Sequence, residues 1–238
     1  MVRKPSKPLL TDPESLLQGK PRKPRDPAQA KLKFDPMPNR IEPCLAKLAR
    51  RPPKGPQWAF EVKWDGYRLA VHIDGTEARC ITRGGHDWSD RFPAIVSAAR
   101  ALGPASIILD GEAVVLDAQG RSDFGALQRD LGGRGGSGRG GKRGATNAIL
   151  MAFDLLYLDG HDLTGLELAD RRALLQPLLP TTDGAIRLSE EVDADGEALF
   201  RSACALGLEG IIAKVRDRTY RSGRQGDWLK IKCVLSDM

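Results

Sequence analysis

The sequence has no long apolar run. Hydrophobic residues make up 41% of its 238 positions, but no stretch approaches the roughly 18 consecutive apolar residues that a membrane-spanning helix needs. The basic first ten residues are not followed by an apolar segment, so a secretory signal peptide is also not expected. These two absences argue against a membrane protein and predict a protein of the cytoplasm.

Cysteine and histidine are scarce. The chain has four cysteines, at positions 44, 80, 204 and 233, and three histidines, and no two cysteines have the C-x-x-C spacing. A zinc site is therefore not expected. Scattered thiols in a chain of this size are typical of a reducing compartment, which again predicts a cytoplasmic protein.

The positive charge is concentrated in the first forty residues. The chain has a net charge of +6, and residues 1–40 hold ten Lys/Arg against four Asp/Glu together with eight of the sixteen prolines. Such a composition cannot bury enough apolar surface to fold alone, so it predicts a basic, extended arm. The arm fits either a linker or a segment that contacts DNA phosphates.

A second unusual stretch, residues 132–144, contains eight glycines, four basic residues and one serine. This composition predicts a flexible surface loop, with an Arg-Gly segment that contacts nucleic acid as the alternative. The remaining region, 41–238, is predicted to be one folded domain.

From Trp58 onward the sequence reads as short strands. The runs WAFEVKW, YRLAVHI and EARCITR are separated by Asp65-Gly66 and Asp74-Gly75, dipeptides that favour tight turns, so the spacing predicts an antiparallel meander over 58–83. A helix follows, with Ser89 as its expected cap. Two further strands are predicted on either side of Asp110-Gly111.

The second half alternates between apolar strands and amphipathic helices. FGALQRDL, ADRRALLQPLL and DGEALFRSACALG have helical spacing, whereas AILMAFDLLYLDG, EGIIAKV and DWLKIKCV are typical of strands. Antiparallel strands with helices on their outer faces predict an α+β architecture.

Two groups of charged residues suit phosphate chemistry. Strand alternation puts Glu61 and Lys63 on one face, and the Asp-Gly turn that follows, with Arg68 after it, suits a lysine amine presented to a phosphate. Lys230 and Lys232 lie two residues apart and so share a face of one strand. Neighbouring cations repel each other, but together they suit a bound phosphate.

These residues resemble those of a known family. The segment from Lys63 to Arg68, KWDGYR, is similar to the nucleophile motif K-x-D-G-x-R of covalent nucleotidyltransferases, and in particular of ATP-dependent DNA ligases. Five more segments resemble the family's other nucleotide-site motifs in the expected order: TRGG, DGE, FD, EGIIAK and WLKIK. The flanking sequences are most similar to the ligase domain of bacterial ligase D, the enzyme of non-homologous end joining. The resemblance covers about residues 40–235.

The resemblance implies a fold and a reaction. The fold would be that of the ligase nucleotidyltransferases (ATP-grasp-like), with two lobes of mainly antiparallel sheet and ATP in the cleft between them. Lys63 would attack the α-phosphate of ATP, release pyrophosphate and carry AMP, which would then pass to a DNA 5′-phosphate. A lysine amine is normally protonated at neutral pH, so neighbouring cations would have to disfavour its charge.

The resemblance also implies roles for the cations around the nucleotide. Lys230 and Lys232 would hold the α-phosphate and stabilise the charge of the transition state. Arg68 and Arg83 would approach the ribose or the phosphates, including the DNA 5′-phosphate. Lys214 would complete its motif near the nucleotide.

Further roles are implied for the acids and for one aromatic residue. Glu112 would contact the ribose or a metal ion, and Glu209 would contribute to a Mg²⁺ or Mn²⁺ site. Phe153 would stack on adenine, and Glu61 would recognise its amino group. Asp65 would complete the nucleophile motif.

The resemblance predicts nicked or broken double-stranded DNA as the substrate, a Ku-type end-binding protein as a partner and a monomeric enzyme. The chain holds nothing that could form the oligonucleotide-binding barrel of larger ligases, so weak nick sealing is expected of it alone. Two alternatives stay open. One is an RNA-capping type of nucleotidyltransferase that transfers GMP, and the other is a non-catalytic DNA-binding module that relies on the arm and the glycine-rich loop.

Overall fold

The computed structural model describes residues 34–103, 105–132 and 144–233. Within them, the strands are β1 Lys47–Leu48, β2 Trp58–Val62, β3 Tyr67–Asp74, β4 Glu77–Thr82, β5 Ser106–Val114, β6 Ile149–Leu158, β7 His161–Asp162, β8 Ile186–Leu188, β9 Glu191–Val192, β10 Gly210–Val215 and β11 Trp228–Lys232. The α-helices of the same residues are α1 Pro93–Ala101, α2 Phe124–Asp130, α3 Leu168–Leu175 and α4 Gly196–Ala205. Two 3-10 turns, Ser89–Arg91 and Gln176–Leu178, precede α1 and follow α3.

The first sheet has five strands in the order β1-β11-β10-β2-β9. All of its pairs are antiparallel except β1 with β11. Strand alternation divides its side chains between two faces. One face is apolar, and its buried residues pack with Ala203 of α4: Phe60, Ile211, Ala213 and Ile231. The opposite face carries the charged residues of β2, β10 and β11.

The second sheet has the order β4-β3-β5-β6-β7, with β8 beside β6. One of its faces forms the main hydrophobic core, in which Leu69, Val71 and Leu109 pack against helix residues such as Ile95 and Leu127. The other face contributes to a smaller cluster with residues from the first sheet and the loops: Cys44, Ile108, Phe153, Leu156, Tyr157, Tyr220 and Trp228. This cluster joins the two sheets, so the α+β, two-lobed architecture predicted from the sequence is confirmed.

The predicted meander over 58–83 is wrong at its first turn. The strand β2 pairs with β9 and β10 of the first sheet, whereas β3 and β4 form a hairpin in the second. Asp65-Gly66 is therefore a crossover between sheets. A Cβ atom at Gly66 would lie 2.0 Å from the carbonyl oxygen of Ala113, so glycine is required there for close backbone contact. The crossover places Lys63 where the chain leaves one sheet for the other.

The segment around Asp110-Gly111 also differs from the prediction. It lies inside one continuous strand, β5, which runs from Ser106 to Val114. The turn chemistry of the dipeptide is overridden because β5 pairs along its length with both β3 and β6. Ser89 is likewise not a helix cap, since α1 begins at Pro93 with Phe92 before it.

The expectation of scattered reduced thiols is wrong for two of the four cysteines. Cys204, in α4, and Cys233, directly after β11, form a disulfide across a sequence separation of 29 residues. Cys44 and Cys80 are free and buried. The pairing arises because α4 packs on the first sheet and so brings its last turn to the end of β11.

The two segments of unusual composition fall largely outside the described residues. Of the predicted arm, residues 34–40 are described and form neither helix nor strand. They contact the folded domain through Asp35, whose carbonyl oxygen accepts a hydrogen bond of 2.6 Å from the Tyr157 hydroxyl. Residues 133–143 of the glycine-rich loop lie outside. In the part of the chain that is described, no helix combines the length and the apolar character needed to cross a membrane.

Candidate active site

A cleft of about 200 Å³ opens between the two sheets and gathers most of the predicted site residues. The first sheet contributes Lys63 at the end of β2 and Lys230 on β11. The second sheet contributes Phe153 on β6. The sequence-predicted residues that line the cleft are Glu61, Lys63, Arg68, Arg83, Glu112, Phe153, Lys214 and Lys230. Glu209 and Lys232 lie beside Lys63 at the edge of this cleft, and Asp65 follows Lys63 in the crossover, close enough to interact electrostatically with all three.

Three lysines surround one carboxylate at the outer end of the cleft. The side chain of Lys63 donates a hydrogen bond to Glu209 Oε2, and Lys232 Nζ lies 2.8 Å from Glu209 Oε1. The hydrogen bonds from these lysines outweigh burial and lower the pKa of Glu209. Lys230 lies on the same face of β11 as Lys232. We call these four residues, Lys63, Glu209, Lys230 and Lys232, the outer cluster.

Backbone geometry holds the outer cluster together. The Lys63 N–H donates to the carbonyl oxygen of Gly210 at 3.0 Å and so extends the β2–β10 pairing by one residue. Gly210 has a positive φ of 146°, and a Cβ there would lie 2.0 Å from the Ile231 carbonyl oxygen. Glycine is therefore needed directly after Glu209 for strands β10 and β11 to meet.

The two lysines of β11 differ in their electrostatics. The hydrogen bond to Glu209 raises the pKa of Lys232. Burial, followed by repulsion from Lys232 and Lys63, lowers the pKa of Lys230. Among the described residues Lys230 has no salt-bridge partner, and it faces the cleft. Its charge is thus available to an anion.

The inner end of the cleft contains a buried ion pair from the first sheet. Lys214 Nζ donates to Glu61 Oε1 at 2.8 Å, and both side chains are almost completely buried. Burial lowers the pKa of Lys214. Its amine lies 4.3 Å from the ring centroids of both Phe153 and Trp228. One Glu61 oxygen is thus occupied by lysine.

A second buried ion pair comes from the other sheet. The Arg68 guanidinium contacts Asp110 in a bidentate manner, with Nη2 2.7 Å from Oδ2. Its central carbon lies 4.5 Å from the Phe153 ring centroid and 5.2 Å from that of Trp228. We call the two pairs, Lys214–Glu61 and Arg68–Asp110, the inner pairs. They flank the aromatic residues Phe153 and Trp228, whose rings meet edge to face.

Glu112 is the carboxylate of the cleft that lacks sufficient countercharge. Burial raises its pKa to about 7, although Arg68 and Lys63 act in the opposite direction. A divalent cation would supply the missing positive charge. The described residues contain no cluster of three or more His, Cys, Asp or Glu that could hold a metal ion. Mg²⁺ is usually bound through one or two carboxylates together with water and substrate phosphates.

Several cleft residues were missed by sequence reasoning. They include Arg224 from the β10–β11 loop and Trp64, whose indole N–H donates to Ser189 Oγ at 3.0 Å. Arg224 lies shortly before the WLKIK motif, and this closeness could have indicated that it lines the cleft. Leu45 and Ala46 come from a loop that carries no such signal.

Comparison with known proteins agrees with this geometry. The family model for the ATP dependent DNA ligase domain matches residues 39–232. The chain belongs to this family. The match includes every predicted site residue from Glu61 to Lys232, and the family resemblance inferred from the sequence is confirmed.

Two similar relatives are ligase D proteins. The multifunctional non-homologous end joining protein LigD of Pseudomonas aeruginosa is 45% identical over 201 residues, which are 84% of this chain and 23% of that protein. LigD of Mycobacterium tuberculosis strain H37Rv is 41% identical over 180 residues, 75% of this chain and 22% of its own length. The chain therefore spans less than a quarter of these relatives.

Solved structures give the same fold. The mycobacterial DNA ligase D complexed with ATP and MES has a TM-score of 0.69 and 37% identity, covering 82% of this chain and 60% of that one. The ligase domain of M. tuberculosis LigD has a TM-score of 0.68 and 38% identity, covering 82% and 61%. The nucleotidyltransferase fold is thereby confirmed, and a DNA-ligase adenylation domain is favoured over the capping-type and the non-catalytic alternatives.

Proposed function

We propose that this chain adenylates itself on Lys63 and passes the AMP to a 5′-phosphate of broken or nicked DNA. The observation that carries the proposal is the outer cluster, where a lysine amine lies at the edge of a cleft beside two further lysines and a single carboxylate. The mycobacterial ligase D structure with ATP supports a nucleotide as the occupant of the cleft.

The residues of the chain divide the proposed work between them. The neutral Lys63 amine, oriented by Glu209, attacks the α-phosphorus, so that a P–N bond forms, the bond to pyrophosphate breaks and the nitrogen releases a proton to water. Lys230 and Lys232 stabilise the charge that develops on the phosphate oxygens, an effect typically worth 10²- to 10³-fold in rate for one donor. Arg68 and Arg83 approach the ribose or the phosphates. Phe153 and Glu61 bind the base.

A divalent metal ion fits the cleft as a second component. We propose Glu112 and Glu209 as its protein ligands, with Mg²⁺ or Mn²⁺ as the ion. When bound, it would neutralise phosphate charge as a Lewis acid. Glu209 is held by two lysines here, so its role as a ligand requires that one of them be displaced or shared.

The first test of the proposal is the intact mass of the purified chain before and after incubation with ATP and magnesium. We expect a gain of one AMP moiety that is absent from Lys63→Ala. The matched control is Lys54→Ala, an exposed lysine outside the cleft, which should be adenylated at the wild-type rate. A wild-type chain that gains no AMP, or a Lys63→Ala chain that does, would contradict the proposal.

The second test concerns the acceptor and the nucleotide. A 5′-phosphorylated nicked duplex added to the adenylated chain should receive AMP or be sealed, whereas the same duplex with a 5′-hydroxyl should not react. GTP in place of ATP should give no adduct. Labelling by GTP alone would restore the capping-type alternative.

We further propose a monomer that acts in the cytoplasm at the nucleoid, with a Ku-type end-binding protein as partner. The partner rests on the family resemblance and on the LigD relatives, which are named as non-homologous end joining proteins. The monomer and the location rest on the family resemblance alone. Light scattering of the purified chain tests the monomer. Co-purification with a Ku-type protein on DNA ends tests the partner.

A further inference from the structure

A chain of hydrogen bonds leads from the backbone before β1 to the Arg68 guanidinium. The N–H of Cys44 donates to the Tyr220 hydroxyl at 2.9 Å. That hydroxyl donates to Asp110 Oδ2 at 2.7 Å. The same Asp110 oxygen accepts from Arg68 Nη2. Of the four residues, Arg68 is the one that lines the cleft.

The direction of each bond in the chain is fixed by chemistry. A backbone N–H can only donate, so the Tyr220 oxygen must accept from Cys44 and is left with its proton for Asp110. An ionised carboxylate only accepts, so Asp110 receives both the hydroxyl and the guanidinium. The hydroxyl therefore holds the same Asp110 oxygen that Arg68 Nη2 contacts.

Tyr220 is itself held on several sides. Its side chain is 9% exposed, and its ring meets Trp228 edge to face with centroids 6.2 Å apart. Its backbone N–H donates to the carbonyl oxygen of Thr164. The loop that carries it also pairs with the chain before β1, since Cys44 and Gly223 form a parallel bridge. A side chain placed this firmly can fix the carboxylate that it contacts.

We propose that Tyr220 is a positioning residue for nucleotidyl transfer: its hydroxyl fixes Asp110, and Asp110 in turn fixes the Arg68 guanidinium against the nucleotide cleft. Tyr220 itself does not line that cleft. This inference rests on the proposed function. Tyr220 lies in the β10–β11 loop, outside the six sequence motifs, and in this proposal it helps to orient Arg68 of the second sheet.

The test uses Tyr220→Phe in the full 238-residue chain. This change removes one oxygen and keeps the ring that packs on Trp228. The rate of lysyl-AMP formation is measured by intact mass at several ATP concentrations, which separates kcat from KM. We expect kcat/KM to fall about tenfold, the size expected when one hydrogen bond to a charged group is lost.

The matched control is Tyr157→Phe. Tyr157 is buried in the same cluster between the two sheets, and its hydroxyl likewise donates a hydrogen bond, to the Asp35 carbonyl oxygen at 2.6 Å. It has no contact with Asp110 or Arg68 through that hydroxyl. We expect its kinetics to equal those of the wild type. Equal kinetics for Tyr220→Phe and the wild type would overturn the inference.

A double-mutant cycle separates positioning from general stability. If Tyr220 acts through the guanidinium, Tyr220→Phe should have no further effect in an Arg68→Ala background. If the two effects on kcat/KM multiply, the role of the hydroxyl is merely structural and the inference fails. Should Arg68→Ala not fold, Arg68→Lys serves as the background, because lysine keeps the charge but cannot reproduce the bidentate contact.

The failure of the proposed function would be recognised separately. A wild-type chain that gives no lysyl-AMP contradicts the proposed function. The same double-mutant cycle is then measured on ATP affinity, with the fluorescence of Trp64 and Trp228, which line the cleft, as the signal for binding. A tenfold weaker affinity in Tyr220→Phe alone would support the positioning role. A wild-type chain that neither reacts with nor binds ATP would overturn both.

Discussion

The inner pairs and the outer cluster use the same types of residue in opposite ways. In the inner pairs each cation, Lys214 or Arg68, has a buried carboxylate of its own. In the outer cluster two lysines, Lys63 and Lys232, contact the carboxylate of Glu209, Lys230 has no salt-bridge partner among the described residues, and Lys232 is about half exposed. The inner end is therefore electrically balanced, whereas the outer end has an excess of positive charge.

This difference assigns separate tasks to the two ends of the cleft. A cation with its own buried carboxylate is held in place and fixes the shape of the cleft around Phe153 and Trp228. A group of cations with too few carboxylates is held at an electrostatic cost that a bound phosphate would relieve. Substitutions at the inner end should therefore affect stability most, and those at the outer end should affect chemistry most.

The largest loss of stability is expected for Lys214→Met. This change leaves the Glu61 carboxylate buried without its cation, and breaking one side of a buried pair typically costs about 3 to 5 kcal/mol. Urea unfolding measures the free energy. The control is the double variant Lys214→Met with Glu61→Gln, which removes both charges and should recover most of the loss. A loss below about 1 kcal/mol in the single variant would mean that the pair does not hold the cleft.

The disulfide ranks next, because it joins α4 to the strand end that carries Lys232. A bridge that closes a separation of 29 residues stabilises by about 3 to 4 kcal/mol in the chain-entropy model. Cys204→Ser should lower the stability by that amount, and a reducing agent should do the same to the wild type only. Intact mass checks whether the bond forms. A wild-type chain whose mass shows that Cys204 and Cys233 keep their thiol protons, and whose stability is the same with and without the reducing agent, would contradict the pairing.

His72 extends the comparison to a buried group with no carboxylate partner. Its side chain is buried, and neither ring nitrogen has a hydrogen-bond partner among the described residues. Burial, followed by repulsion from Arg79, lowers its pKa from 6.5 to about 4. Unlike Lys214, this group should remain neutral in the folded chain at neutral pH.

The sign of the resulting pH effect follows from proton linkage. Between about pH 6.5 and pH 4 the unfolded state binds the proton and the folded state does not, so stability is full above this window and falls as the pH decreases through it. The loss should total about 3 kcal/mol, at about 1.4 kcal/mol per pH unit. Unfolding measured from pH 7 to pH 4 should show this slope, and His72→Leu should flatten it. The same slope in both chains would assign it to the carboxylates instead.

Local sequence was enough to predict the pair Lys230 and Lys232 of the outer cluster, whereas Glu209, 146 residues from Lys63, was predicted from the family resemblance. Lys230 and Lys232 share a face because strand alternation requires it, and Lys63 follows a strand that the apolar pattern of β2 indicates. The hairpin predicted at Asp65-Gly66 was wrong because the same dipeptide fits a tight turn and a crossover. The pairing of β2 with β10, about 150 residues away, decides between them.

The inner pairs could not be predicted from the sequence in the same way. Lys214 and Glu61 are 153 residues apart, and each had a plausible separate role at the nucleotide. Their contact depends on the register of β10 against β2, which places Lys214 opposite Ala59 and Ile212 opposite Glu61. The disulfide was missed for a similar reason, since Cys204 and Cys233 are brought together only by the packing of α4 on the first sheet.

The smallest change in stability is expected for Lys230→Ala. This variant decides whether the outer cluster, unlike the inner pairs, serves chemistry more than stability. Lys230 has neighbouring cations and, in the described chain, no salt-bridge partner, so its removal relieves repulsion and should change the free energy of unfolding by less than about 1 kcal/mol. The rate of lysyl-AMP formation should nevertheless fall by about 10²- to 10³-fold, because the lost charge faces the reacting phosphate. Leu48→Ala, an exposed change on the neighbouring strand β1, should leave both quantities unaltered. If Lys230→Ala loses stability as Lys214→Met does, or retains full activity, the excess charge of the outer cluster has a structural role instead of a chemical one.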